Sequence, residues 1–185
     1  PGAGRLPGAP AVSDSALEGA GPGPDETLDS IGTAGVRVLQ RRGGYRFNLD
    51  AVLLAGFAAA EGASEEAVLE LGAGSGVVSF LLARQFGRGA VDALELQPAV
   101  HARLVRGVAL NELEGRVRPL LGDLREARTL LPSGAYALVV SNPPFRARSA
   151  GVRSPDEERA LSKQELACDA AAVVAGGRHA VVPGE

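Results

Sequence analysis

The sequence predicts a doubly wound α/β fold with a mostly parallel sheet. Three observations carry that expectation. Strand-like and helix-like segments alternate from Ala67 onward, a turn rich in glycine (Gly72, Gly74, Gly76) joins the first such strand to its helix, and acidic residues close successive strands. Short links between alternating strands and helices leave a parallel sheet with right-handed crossovers as the simplest packing. A chain of 185 residues, 45% of them hydrophobic, suffices for one such domain with a core.

In chain order, residues 1–24 are dense in Gly, Pro and Ala without apolar periodicity, and read as a disordered tail. Residues 25–62 read as an N-terminal hairpin and helix. The hairpin is expected over Val36–Phe47, turning at Arg41-Arg42-Gly43-Gly44. Asn48 stands where it can cap a helix on which Leu49, Val52, Leu53 and Phe57 recur at helical spacing.

The third region, 63–185, holds the α/β domain. Ala67–Leu71 reads as a short buried strand, Gly76–Gln85 as a helix and Ala90–Leu96 as a second strand. Pro98 suits a first helical turn, and Val100, Leu104 and Val108 mark the buried stripe of that helix. Val117–Leu121 and Tyr136–Ser141 give two more strands. Pro155–Ala175 is a long Ala-rich helix, and Arg178–Val182 a fifth strand.

The turn Glu70-Leu71-Gly72-Ala73-Gly74-Ser75-Gly76-Val77 is the strongest local signal. Gly72 and Gly74 permit a tight turn and close approach to a ligand, beside the free N–H groups of a helix start. Dinucleotide sites use G-x-G-x-x-G, but here the spacing is G-x-G-x-G and Val77 takes the third glycine's place. A carboxylate at Glu70 repels a pyrophosphate and suits a cationic, methionine-like group. Glu95, ending the second strand, can accept hydrogen bonds from both hydroxyls of a ribose. Asp123 can accept from an adenine amino group, with the Leu124 N–H facing the ring. The ordered set points to S-adenosylmethionine (SAM) as cofactor.

The fourth strand ends in Ser141-Asn142-Pro143-Pro144-Phe145. Consecutive prolines fix the backbone and remove two donors. The Asn142 side-chain oxygen and the Pro143 carbonyl then form a pair of acceptors for both hydrogens of a planar –NH2 group, while Phe145 offers a stacking face. Such a pair draws the nitrogen toward tetrahedral geometry and frees its lone pair. Asn142, Pro143 and Phe145 are therefore the candidate catalytic residues. No metal site is expected: His101 and His179 lack partner ligands, and Cys168 reads as a small core residue.

These residues resemble the class I SAM-dependent methyltransferases with an N-P-P-F/Y motif, of Rossmann-like fold. Asp25–Asp29, the block Gly44-Tyr45-Arg46-Phe47-Asn48-Leu49-Asp50 through Ala55, and Ser154-Pro155 with the helix Glu158–Glu165 are similar to bacterial tRNA(Val) adenine-N6 methyltransferases. The resemblance implies adenine N6 in tRNA as acceptor, and places Asn48 and Asp50 near the methionine end of SAM. A protein glutamine N5-methyltransferase fits the same two acceptors, and a truncated, inactive SAM-binding protein is the third reading. Family members continue past the fifth strand, so the sheet is expected to lack its last two strands. The absence of Met fits an incomplete gene product.

Net charge is −3, with Arg37, Arg41, Arg42 and Arg46 clustered before the domain and Arg146, Arg148 and Arg153 after the N-P-P-F motif. Guanidinium forks match phosphate geometry, so the clusters suit RNA contacts flanking the pocket. With one Cys, no signal-peptide pattern and no apolar run long enough to span a bilayer, a cytoplasmic enzyme without membrane contact is expected.

Overall fold

The computed structural model describes residues 20–44, 46–61, 66–142 and 170–183. Four strands form a parallel sheet: β3 (Ala67–Leu71), β4 (Ala90–Glu95), β5 (Val117–Leu121) and β6 (Leu138–Ser141), in the order β5-β4-β3-β6. This is the doubly wound arrangement expected. The order reverses at β3, whose glycine turn therefore opens at the topological switch point, where open α/β sheets bind ligands. No helix among the described residues is long and apolar enough to cross a membrane.

Helix α2 (Val77–Phe80) continues as a π-helical turn over Leu81–Gln85. Helix α3 (Pro98–Leu110) buries Val100, Leu104 and Val108, as its periodicity requires. A short 3-10 turn (Leu124–Glu126) leads into α4 (Ala127–Leu130). Gly76, the cap of α2, has φ +90°, and a Cβ there would lie 2.5 Å from Leu104 Cδ1 and 2.6 Å from Phe80 Cζ. Gly76→Ala is expected to cost about 3 kcal/mol through left-handed strain and overpacking, read as a lowered Tm. At Gly72 nothing lies within 4 Å of an added Cβ, so Gly72→Ala should cost only the strain of its φ of +73°, about 1 kcal/mol.

The N-terminal hairpin exists, but one strand earlier than the sequence suggested. β1 (Glu26–Ile31) pairs antiparallel with β2 (Val36–Arg41) over six residue pairs, from Glu26↔Arg41 to Ile31↔Val36. The chain reverses at Gly32–Gly35, where both glycines hold positive φ (69° and 62°). The Arg41–Gly44 stretch does turn, with Gly44 N–H donating to the Arg41 carbonyl at 3.2 Å, yet no strand follows it. Two glycines mark each turn. The sequence alone could not tell which one closes the hairpin, because the partner run Glu26–Ile31 is mostly polar.

Ile31, Val36 and Val38 of the hairpin share one buried cluster with Val77, Phe80 and Leu104 of the α/β domain. Residues 20–24, assigned to the tail by composition, are placed as well. Ala20 is buried, and the Gly21 carbonyl accepts from Arg106 Nη1 at 2.9 Å. Arg106 also donates to both oxygens of buried Glu26, at 2.6 and 2.8 Å, fastening β1 to α3.

Helix α1 (Leu49–Ala60) forms where expected, but of the expected stripe only Val52 packs against the core. Ala51, Ala55 and Ala58 are buried, whereas Leu49, Leu53 and Phe57 are exposed. The alanine face packs into the core with Val52 and Leu54 partly buried beside it, leaving Leu49, Leu53 and Phe57 outside. Asn48 occupies the N-cap position without a capping bond, and its Nδ2 donates to Asp50 Oδ2 at 2.7 Å.

The expected fifth strand is also corrected. Helix α5 (Ala170–Ala180) runs through Arg178–Ala180, and only Val181 makes an isolated parallel bridge, to Tyr136. The Val181 N–H still donates to the Gly177 carbonyl at 2.9 Å, so the helical pattern outlasts the two valines before Pro183. Residues 1–19, Tyr45, Pro143, Phe145, Cys168 and the expected helix start at Pro155 lie outside the described residues.

Candidate active site

β3 and β4 bring the predicted carboxylates to one end of the sheet. Glu70 is 2% exposed and Glu95 6% exposed, and both line a cavity with Gly72, Gly74 and Ser75. Glu95 is held from two sides: Oε2 accepts from Gly74 N–H at 2.8 Å and Oε1 from Gln97 N–H at 2.9 Å. A carboxylate offers about four lone-pair sites, so one carboxylate can accept from several donors at once.

Glu70 Oε2 accepts from the Ser79 N–H at 2.9 Å and from the Ser79 hydroxyl. Burial pushes its carboxyl up to about 8, against the lowering effect of the two Ser79 bonds, and the nearby Glu95 charge adds to the rise. In the folded chain Glu70 therefore retains its proton between pH 4.5 and about 8, where the unfolded chain has lost it. Its contribution to stability is present at the acid end of that window and declines as pH rises. Glu70→Gln, which keeps an acceptor for Ser79 without a titrating proton, should flatten this decline. Thermal unfolding at pH 6 and pH 8.5 will measure it, the variant gaining on the wild type at the higher pH.

Asn142 lines the same cavity. The register Leu71↔Ser141 sets it beside the glycine turn, and Ser141 Oγ donates to the Leu71 carbonyl at 2.8 Å, tying the two strand ends together. The predicted acceptor side chain is thus brought to the predicted cofactor loop. Pro143 and Phe145, its companions, lie outside the described residues.

Asp123 and Leu124 are not brought into this cavity. The Asp123 carboxylate accepts from the Arg125 N–H at 2.9 Å and from its guanidinium, a contact that lowers its pKa. Beside Glu95, the cavity wall is instead Gln97 and Val100. Asn48 and Asp50 do not line the cavity either, although their neighbours Phe47 and Ala51 do.

Sequence reasoning missed the wall contributed by the hairpin. Gln40 and Arg41 of β2 and Arg103 of α3 line the cavity with Phe47. Gln40 is 3% exposed; its Oε1 accepts from the Phe47 N–H at 2.9 Å and its Nε2 donates to Asp29 Oδ2 at 2.6 Å. Arg46 Nη2 donates to the same Asp29 oxygen at 2.8 Å, so one acid fixes the stretch leading into α1. A polar Gln buried at the end of an apolar strand was the available signal, obscured while the hairpin was placed one turn late.

The residues present fit SAM. Two glycines open onto free space, a buried acid beside them suits a cation, and a second acid at the next strand end suits a ribose. Among the described residues no group of three or more His, Cys, Asp or Glu could hold a metal ion.

Several known proteins are similar to this chain. A tRNA1(Val) (adenine(37)-N6)-methyltransferase of Porphyromonas gingivalis is 28% identical over 124 residues, covering 65% of this chain and 48% of that protein. Its namesake in Musicola paradisiaca is 30% identical over 166 residues, covering 86% and 66%. The chain thus spans about half the length of several curated relatives it matches. The fold is similar to that of M. jannaschii TYW2, solved in complex with AdoMet, with TM-score 0.55 at 19% identity over 67% of this chain and 53% of that one. Residues 50–176, from the first turn of α1 into α5, match the methyltransferase small domain, and the chain belongs to that family.

Proposed function

We propose that this chain transfers the methyl group of SAM to an exocyclic amino nitrogen, the N6 of adenine in a tRNA. The observation that carries the reading is the single cavity holding Glu70, Gly72, Gly74, Glu95 and Asn142. A cofactor loop and an amide acceptor at one strand-end crevice are what methyl transfer to a poor, delocalised amine requires. The names of the relatives described above support adenine N6 in tRNA as that acceptor.

SAM bound there would supply an activated methyl group, with a neutral thioether as leaving group. The chain's own residues have to position and polarise. Glu95 accepts from the ribose hydroxyls while Gly74 N–H and Gln97 N–H hold its carboxylate in place. Glu70 faces the cationic end, where a positive charge favours its ionised form and works against the effect of burial. Asn142 Oδ1 accepts one amino hydrogen and the Pro143 carbonyl the other, and Phe145 stacks on the ring. The nitrogen lone pair is then directed at the methyl carbon, and alignment supplies most of the acceleration. The proton lost from the product amine passes to solvent. Exposed Arg42 and Arg46 adjoin Arg41 and Phe47 of the cavity wall in the chain, and cations there support a reading in which tRNA phosphates bind at the site mouth.

Mass spectrometry of nucleosides from tRNA incubated with the protein and SAM tests the reading. N6-methyladenosine in tRNA is the expected product. Methylated glutamine in protein with unmodified tRNA would replace the nucleic-acid acceptor, and no transfer to either, with SAM bound, would leave a binding protein.

A further inference from the structure

Successive residues of strand β2 point to opposite sides, so Val36, Val38 and Gln40 share one side, and the two valines belong to the core cluster. The third position is filled by an amide, 3% exposed, where an apolar side chain would bury without a polar cost. Both ends of that amide are engaged. Oε1 accepts from the Phe47 N–H at 2.9 Å, and Nε2 donates to Asp29 Oδ2 at 2.6 Å. One partner is a donor and the other a carboxylate, so the amide fits only one way round. We propose that Gln40 is a positioning residue of the cofactor cavity, holding Phe47 and the start of α1 as the wall against which the cofactor packs.

The start of α1 is not fixed by a cap of its own, since Asn48 makes no side-chain capping bond. Phe47, just before that cap, is only partly buried, yet it lines the cavity with Ala51 of the first helical turn. The anchors come from the hairpin instead. Gln40 takes the Phe47 N–H, and Asp29 takes Arg46 Nη2 at 2.8 Å. Asp29 and Gln40 stand on paired strands whose register is set by six residue pairs. The position of the wall is thus inherited from the hairpin.

Gln40 borders the cavity as well. An amide bonded once at each end keeps a further donor and a further lone pair, so direct contact with the ligand is the competing role. Exchanging donor and acceptor between positions 29 and 40 separates the two. The exchange keeps the bond within the wall and removes the amide hydrogens that a ligand could use.

The inference rests on SAM being the ligand of this cavity, which binding of S-adenosylhomocysteine to the full wild-type chain decides first. Titration calorimetry then compares Gln40→Glu, Asp29→Asn and the two together, each at a temperature where circular dichroism shows it folded. Gln40→Glu keeps an acceptor for Phe47 but sets a second carboxylate against Asp29, and Arg46 offsets only part of that repulsion. It should weaken S-adenosylhomocysteine about 10- to 100-fold. Asp29→Asn leaves Gln40 an acceptor and should cost less. In the pair, the amide at position 29 donates to the carboxylate at position 40, and affinity should return to within about threefold of wild type. Gln40→Met, similar in length and without either bond, repeats the first measurement should the added charge unfold the chain.

Unchanged affinity in Gln40→Glu or Gln40→Met, whatever happens to Tm, would show a merely structural bond. A pair no better than Gln40→Glu would put Gln40 in direct contact with the ligand. Either result overturns this inference and leaves the methyltransferase reading intact. A wild type that binds no S-adenosylhomocysteine would sink the cavity assignment and this inference with it.

Discussion

Asn142→Ala is expected to lower methyl transfer to tRNA roughly 100- to 1000-fold, the scale on which a preorganised transition-state dipole acts. S-adenosylhomocysteine affinity should change by no more than about twofold, because the loss falls on an interaction strengthened in the transition state. Asn142, the proposed acceptor-binding residue, lines the cavity from the end of β6, while the glycine turn and the carboxylates come from β3 and β4. The Ser141 hydroxyl bond to Leu71 fixes the strand end without the Asn142 side chain, so truncation should leave the crevice standing. Single-turnover rates with saturating cofactor, beside calorimetric binding, separate the two effects. Parallel loss of rate and affinity would contradict the division of labour between strands.

Glu95→Ala should give the opposite pattern. It removes the proposed acceptor of two ribose hydroxyls and also strips Gly74 N–H and Gln97 N–H of their partner. Each charge-assisted bond lost contributes roughly 1.5–3 kcal/mol, so cofactor affinity should fall by about 100-fold or more. Glu95→Gln, which keeps one acceptor, should lose less. At cofactor concentrations well above the new dissociation constant, much of the transfer rate should return. A variant whose rate stays low at saturation would show that Glu95 acts on more than binding.

The Glu70 and Glu95 effects bear on each other. Glu70 is protonated at neutral pH while the cavity holds no cation, because burial raises its pKa to about 8 and the Glu95 charge adds to that rise. Glu95→Ala removes this neighbouring charge, so the stability decline across the Glu70 window should move to higher acidity in that variant. Thermal unfolding as a function of pH will detect this independently of any substrate.

Much of the sheet could be read in advance because its signals are local. Ala67–Leu71 and Val117–Leu121 are bounded as their apolar runs suggest, since short runs between turn residues leave few alternatives. The glycine turn was legible for the same reason: left-handed φ at Gly72, Gly74 and Gly76 is a property of the backbone at those positions. The elements misread are those whose partner is distant or weakly marked. Helix α1 turned its alanines inward and left Leu49, Leu53 and Phe57 outside, an arrangement absent from its own periodicity. Arg178–Ala180 stayed helical because two valines before Pro183 do not make a strand against the pull of the preceding turns.

The sequence by itself determined the parallel α/β order, the glycine turn, and the positions of Glu70, Glu95 and Asn142 at strand ends. Each is set by residue type and by neighbours a few positions away. Only the tertiary structure decided that the hairpin walls the cavity with Gln40 and Arg41, and that Asp123 is engaged with Arg125 outside it. Both depend on contacts made at a distance or on where a side chain finally turns, and neither leaves a period in the chain. A strand's register is fixed by the surface it buries, so what it presents to a ligand is known only after it has packed.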